Sequence, residues 1–173
     1  MTTYLITGGC GFIGSHLVDR LINQGHECII IDNLSTGKIQ NLNSRATFIH
    51  ADIRNSQILS ETLPECDGCF HLAAIASVAK CNEEWAESHE TNLTGTINIF
   101  DTIKNLHIKN MPVIYASSAA VYGNNSRVPL NETEIPRPLG PYGIDKLAGD
   151  MHGRVASEVY GIPVTALRFF NIY

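Results

Sequence analysis

The stretch Thr7-Gly8-Gly9-Cys10-Gly11-Phe12-Ile13-Gly14 decides the fold. It joins an apolar run, TYLIT (Thr3–Thr7), to a segment in which Ile13, Leu17 and Leu21, with Val18 and Ile22, mark one helical face. Strand, glycines at 8, 11 and 14, then helix is the order of a phosphate-binding corner. Gly8 permits a tight turn, Gly11 lets backbone approach a pyrophosphate, and Gly14 lets helix and strand pack closely. The helix N-terminus adds free N–H groups and the positive end of its dipole. Glycine-rich turns also close ordinary β–α corners, so it is the position between first strand and first helix that favours a dinucleotide.

Working outward, short apolar runs alternate with amphipathic stretches, the βαβ rhythm of a doubly wound parallel α/β sheet. Strands are expected at Thr3–Thr7, Glu27–Ile31, Thr47–His50, Gly68–Leu72, Pro112–Ser117 and Pro163–Arg168. The runs are continuously apolar, as in a sheet covered on both faces. A long helix is expected from Trp85 to His107, with Ile99, Ile103 and Leu106 on one stripe. Another begins at Pro141 and runs to about Tyr160, stopped by Gly161 and Pro163. The long irregular stretch Gly123–Gly140, with Pro129, Pro136 and Pro138, leaves the C-terminal end of the fifth strand, where ligands of open α/β sheets sit.

Composition narrows the rest. At 173 residues, 44% hydrophobic and 17% charged, the chain is one globular domain. A net charge of −5 with no Lys/Arg cluster disfavours nucleic acid. No apolar run reaches the roughly 20 residues of a membrane span, and the early first strand leaves no room for a signal peptide. Five irregularly spaced cysteines suit a reducing cytoplasm rather than a disulfide framework. Cys66 and Cys69 form a CxxC, but Cys69 opens an apolar strand and reads as core; no metal site is expected. The sequons at Asn92, Asn124 and Asn131 carry no meaning without secretion.

Asp32 ends the second strand, where a carboxylate accepts hydrogen bonds from adenosine ribose hydroxyls and repels a 2′-phosphate, favouring NAD over NADP. The competing role is a turn aspartate opening DNLSTG (32–37). Asp52 and Ile53 follow the third strand in the same manner and could flank an adenine, although Asp52 also suits a helix N-cap. Tyr142 and Lys146, four apart near a helix start, share one face. A lysine ammonium beside a phenol favours the phenolate, giving a base for an alcohol proton. Ser117 and Ser118 end the fifth strand, where a hydroxyl could bond the substrate oxygen; the alternative is a serine turn closing the strand.

TGGCGFIGSHL (7–17), DNLSTG (32–37), HLAA (71–74), SSAAVYG (117–123), PYGIDK (141–146) and LRFFNIY (167–173), in this order, resemble the extended short-chain dehydrogenase/reductase superfamily. Within it they are most similar to the nucleotide-sugar epimerases typified by UDP-galactose 4-epimerase. The resemblance implies a Rossmann fold, NAD as cofactor and a UDP-sugar or other nucleotide-sugar substrate. It implies Phe12 and Ile13 at the pyrophosphate, beside Gly8, Gly11 and Gly14. Asp32, Asn33, Leu34, Ser35, Thr36 and Gly37 would hold the adenosine end, with Asp52 and Ile53 at the adenine. Leu72, Ala73, Ala74 and Asn92 would line the nicotinamide side. Ser118, Tyr142 and Lys146 match the catalytic set, with Lys146 also on the nicotinamide ribose. Phe170 would touch cofactor, and Ser118 and Asn171 substrate. A cytoplasmic homodimer through helices 85–107 and 142–160 is implied, with Phe100, Leu147 and Met151 on the outer faces.

Four departures stand out. Cys81 and Gly140 occupy positions where the resembled proteins usually carry serine. Asp145 replaces the serine of PYGxSK and is expected to point outward. The chain also stops at Tyr173, before the substrate lobe of such proteins, so it reads as a truncated NAD-binding domain (1–173) that binds cofactor without turnover. Sugar 4,6-dehydratases place Asp-Glu after the strand serine or threonine, and decarboxylases a glutamate; here stand Ala119 and Ala120. Reductases and synthases of the same branch remain open. A non-catalytic NAD-sensing module is a different class, in which the tyrosine or lysine is typically lost; both are retained here.

Overall fold

The computed structural model describes residues 1–173. Six strands, β1 (Thr3–Thr7), β2 (Glu27–Asp32), β3 (Thr47–His50), β4 (Gly68–His71), β5 (Val113–Ser118) and β6 (Val164–Phe169), form one sheet in the order β3-β2-β1-β4-β5-β6. Every pairing is parallel. This is the doubly wound arrangement of a Rossmann fold, with the strand order reversing between β1 and β4. Four of the six strands differ from the expected bounds by one residue, β2 and β4 at their C-terminal ends and β5 and β6 at both ends.

The helices are α1 (Phe12–Asn23), α2 (Ser56–Thr62), α3 (Val78–Glu83), α4 (Trp85–His89), α5 (Gly95–Asn105) and α6 (Pro141–Tyr160). Consecutive residues of the strands face opposite sides, and both sides are covered. Leu5 and Ile31 join Ile99, Ile103 and Val113 in one core, while Ile6 and Ile30 join Val18, Leu21 and Ile22 in the other. Helix α1 thus covers one face and α5 with α6 the other. That is why the runs are apolar at every position rather than every second one.

The expected helix from Trp85 to His107 needs correction. It is interrupted between α4 and α5 by a π turn, Glu90–Thr94, and ends at Asn105. The Thr96 hydroxyl donates to the Asn92 carbonyl (2.7 Å), a local bond of the kind that diverts helix geometry. Gly95 sits where a Cβ would lie 2.5 Å from Ile53. Phe100, expected on an outer face, is 6% exposed and belongs to the core. No helix is long and apolar enough to cross a membrane.

Candidate active site

The C-terminal ends of β1 to β5 open into one cleft of about 310 Å³. Gly8, Gly11, Phe12, Ile13 and Gly14 form its floor after β1; Asp32, Asn33, Ser35, Thr36 and Gly37 line it after β2. Asp52 and Ile53 contribute after β3, and Leu72, Ala73 and Ala74 after β4. A strand-order reversal is where adjacent loops diverge and leave such a crevice.

The glycine corner is built by close approach. Gly8 has φ +73°, and a Cβ there would lie 2.7 Å from the Ala73 nitrogen. At Gly14 a Cβ would lie 2.3 Å from the Gly8 carbonyl oxygen, so any side chain would push α1 off the turn. No side chain caps the N-terminus of α1 and its first turn carries no acidic residue. Its leading N–H groups are therefore free to meet an anion.

Asp32 is buried and accepts from the Cys10 N–H (3.0 Å) and the Leu34 N–H (2.8 Å). It is no solvated turn residue: it ties the glycine corner to the loop after β2 and still faces the cleft. Leu34, held at φ +57°, turns its side chain toward the core beside α1 rather than into the cleft. Asp52 accepts from Arg54 and from Asn33 (2.9 Å), which holds its carboxyl below the usual range despite partial burial.

Below the β4 loop runs a directional hydrogen-bond chain. Leu72 and Ala73 N–H groups both donate to the Thr7 hydroxyl oxygen (3.2 Å each). The Thr7 hydroxyl hydrogen is then left for His71 Nδ1 (2.8 Å). At the other ring nitrogen, Thr96 has spent its hydrogen on Asn92, so His71 Nε2–H must donate to it (2.9 Å). Both ends demand the same neutral tautomer. Burial and the nearby Lys146 charge push His71 down to about 3, in keeping with that wiring.

Asn92 does not line the cleft. Its side chain accepts from Ile75 N–H (2.8 Å) and donates to the Ile75 carbonyl (3.1 Å), strapping the loop after β4. Its neighbour Thr91, in the same π turn, lines the cleft. Ala51, Ala76, Ala116 and Ile172 line it as well, small or apolar residues that offer no chemical signal in sequence.

Ser118, Tyr142 and Lys146 gather beside the cleft. Lys146 is buried and donates to the carbonyl of cleft-lining Ala116 (2.8 Å); its ammonium lies 5.9 Å from the Tyr142 ring centroid. The Ser118 hydroxyl oxygen accepts from Ala120 N–H (3.1 Å), closing the turn after β5. The expectation that Lys146 lowers the Tyr142 phenol is corrected for this geometry. Burial holds that phenol above its ordinary value, the adjacent Ser118 hydroxyl pulling the other way. Burial likewise brings Lys146 down to about 8.

Asp145 is a second correction. It points inward, 2% exposed, and accepts from or pairs with His89 Nδ1 (2.9 Å) on α4. Its helix position faces α4 rather than solvent. Phe170 is 60% exposed and borders a separate hollow with Tyr122, Asp150 and Arg168; Asn171 is exposed. The CxxC thiols are buried, and no cluster of His, Cys, Asp and Glu is arranged to hold a metal ion.

Known proteins share this fold. A UDP-glucose 4-epimerase from Thermotoga maritima, solved with UDP-glucose, superposes with a TM-score of 0.93 at 39% identity, over 99% of this chain and 56% of that one. A UDP-N-acetylglucosamine 4-epimerase from Methanobrevibacter ruminantium M1 gives 0.92 at 40% identity, over 99% and 56%. The Brucella ovis UDP-glucose 4-epimerase, solved with NAD, gives 0.92 at 35% identity, over 99% and 52%. The chain spans about half the length of the curated relatives it matches. Residues 4–173 match the family model throughout, and the chain belongs to the NAD dependent epimerase/dehydratase family.

Proposed function

We propose that the chain holds NAD in the cleft and presents Tyr142, Ser118 and Lys146 to the 4-hydroxyl of a nucleotide sugar, for epimerisation through a transient 4-keto sugar. The observation that carries the reading is the glycine corner, where the uncapped start of α1 and the close packing of Gly14 on Gly8, which leaves no room for a Cβ, make a backbone cradle open to a diphosphate. That cradle fits the cofactor, and so does Asp32, buried at the ribose end of the cleft. Phe12 and Ile13 would meet the pyrophosphate, Asp32 through Gly37 the adenosine, Asp52 and Ile53 the adenine, and Leu72 to Ala74 the nicotinamide.

When bound, NAD supplies a reversible hydride acceptor. The chain's own groups handle the proton: Tyr142 takes it from the 4-hydroxyl and returns it, and Ser118 holds the same oxygen. The Lys146 ammonium, once a ribose competes with Ala116 for it, supports the charged form of Tyr142. Ala119 and Ala120 offer no further acid or base, which favours epimerisation over elimination. Apolar residues on outer helix surfaces, Trp85, Met151, Val155 and Val159, suit a homodimer; a monomeric mass by light scattering at micromolar concentration would argue against it.

The sugar side is open, with Phe170 and the face of β6 exposed, so these 173 residues bind cofactor without turning sugar over. The test adds NAD and follows melting temperature and conversion of UDP-galactose. A raised melting temperature without product fits; no thermal response, or epimerisation by these residues alone, refutes the respective half.

A further inference from the structure

Lys146 is a buried ammonium with a single hydrogen bond. It has three N–H donors, yet the Ala116 carbonyl is its one oxygen partner within hydrogen-bond range. Two aromatic rings lie against it: its Nζ is 4.9 Å from the centroid of the Tyr115 ring and 5.9 Å from that of Tyr142. Tyr115 is fully buried in the centre of β5. Its hydroxyl has no hydrogen-bond partner, and Gly149 on α6 packs so closely that a Cβ would lie 2.3 Å from it. A buried hydroxyl without a partner is a cost, so the ring is the part of this side chain that the site uses.

The ring also stacks on His71, centroids 5.6 Å apart and planes 25° apart. His71 is wired as the neutral tautomer by Thr7 and Thr96, so only one cation meets this ring. A second positive charge there would repel Lys146.

We infer that Tyr115 is a positioning residue for Lys146: its ring face holds the buried ammonium at the edge of the cleft, against the Ala116 carbonyl and the Tyr142 ring. That Lys146 then serves catalysis rests on the proposed function; that Tyr115 seats it does not. The groups facing Lys146 are Tyr142, Asp145 and Asp150 on its own helix, Cys81 from α3, His71 from β4 and Tyr115 from β5. Asp145 is itself bonded to His89 from α4. Of the two rings Tyr115 is the nearer, and it can be weakened as a cation partner without changing charge or touching the proposed base Tyr142.

The experiment is a titration of the Lys146 ε-ammonium by nuclear magnetic resonance in the 173-residue chain, the signal assigned by its loss in Lys146→Arg. Position 115 carries tyrosine, phenylalanine, 4-fluorophenylalanine or 3,4,5-trifluorophenylalanine in turn. Fluorine drains the negative ring face while keeping the ring's outline. Tyr115→Phe should leave the Lys146 midpoint unchanged. The fluorinated rings should lower it stepwise, to about one pH unit for the trifluorinated ring, a ~10-fold change in the ammonium–amine equilibrium. A midpoint indifferent to fluorination, or one that moves with Tyr115→Phe alone, would overturn the inference. The 4-fluoro ring is no larger than tyrosine, so the comparison survives if the trifluoro chain fails to fold. Because no sugar turnover is read, the result is independent of whether Tyr142 proves to be the base.

Discussion

Ile30 in β2 is fully buried, whereas Leu167 in β6 is 39% exposed. Both strands are parallel, both lie in the same sheet, and both come from short apolar runs. The difference is in what covers them. β2 lies between the core under α1 and the core under α5, while β6 is an edge strand with one neighbour and contributes only a partly buried Val164 to the core. The half around β1 and β2 is therefore closed by this chain's own helices, and the half bearing Phe170 and β6 is open beside it. Binding a dinucleotide and holding a second molecule for reaction thus make separate demands on the fold.

The largest effect that sharpens this contrast is on stability. Ile30→Ala should cost ~2–5 kcal/mol through lost burial and a residual cavity, and Leu167→Ala under about 1 kcal/mol, both by urea unfolding. Equal losses would erase the distinction between the halves. Next, in a protein that carries these residues together with a substrate lobe, Tyr142→Phe should cut sugar-nucleotide turnover ~100-fold or more with NAD affinity retained; normal turnover there would remove Tyr142 from the mechanism.

A smaller effect is expected in the pH dependence. His71 is held near 3, below the ordinary value of about 6.5 for an unfolded histidine. A depressed value means the folded state prefers the neutral ring. The stabilisation is full above about pH 6.5 and falls away as pH drops toward 3. Wild-type chain should lose stability between pH 7 and 4 more steeply than His71→Gln; parallel profiles would contradict the neutral wiring of Thr7, His71 and Thr96.

Much of this was legible in sequence because the relevant signals are local. The glycine corner, the six apolar runs and the helix opening at Pro141 each depend on neighbours within a few residues. Asp145 was not legible: pointing outward or inward depends on α4 lying across α6, and the partner His89 is far away in sequence. Nor was the strap that Asn92 makes to Ile75 legible, because its partner lies 17 residues away. The pattern of residues 90–94 likewise gives no warning of the π turn. Nor could the apolar run of β6 reveal that it lies at an edge, since apolarity records what a strand can bury and not what covers it. His71 sits in plain view within HLAA, yet its role appears only when Thr7 and Thr96 are brought to its two nitrogens.

The central claim is that this chain is an NAD site with Asp32 at the ribose. Calorimetry with NAD and with NADP on the same protein tests it most directly. NAD should bind at least tenfold more tightly, a gap above ~1.4 kcal/mol, because a buried carboxylate already bonded to Cys10 and Leu34 cannot move away from a 2′-phosphate. Equal affinities, or no binding of NAD at all, would contradict it.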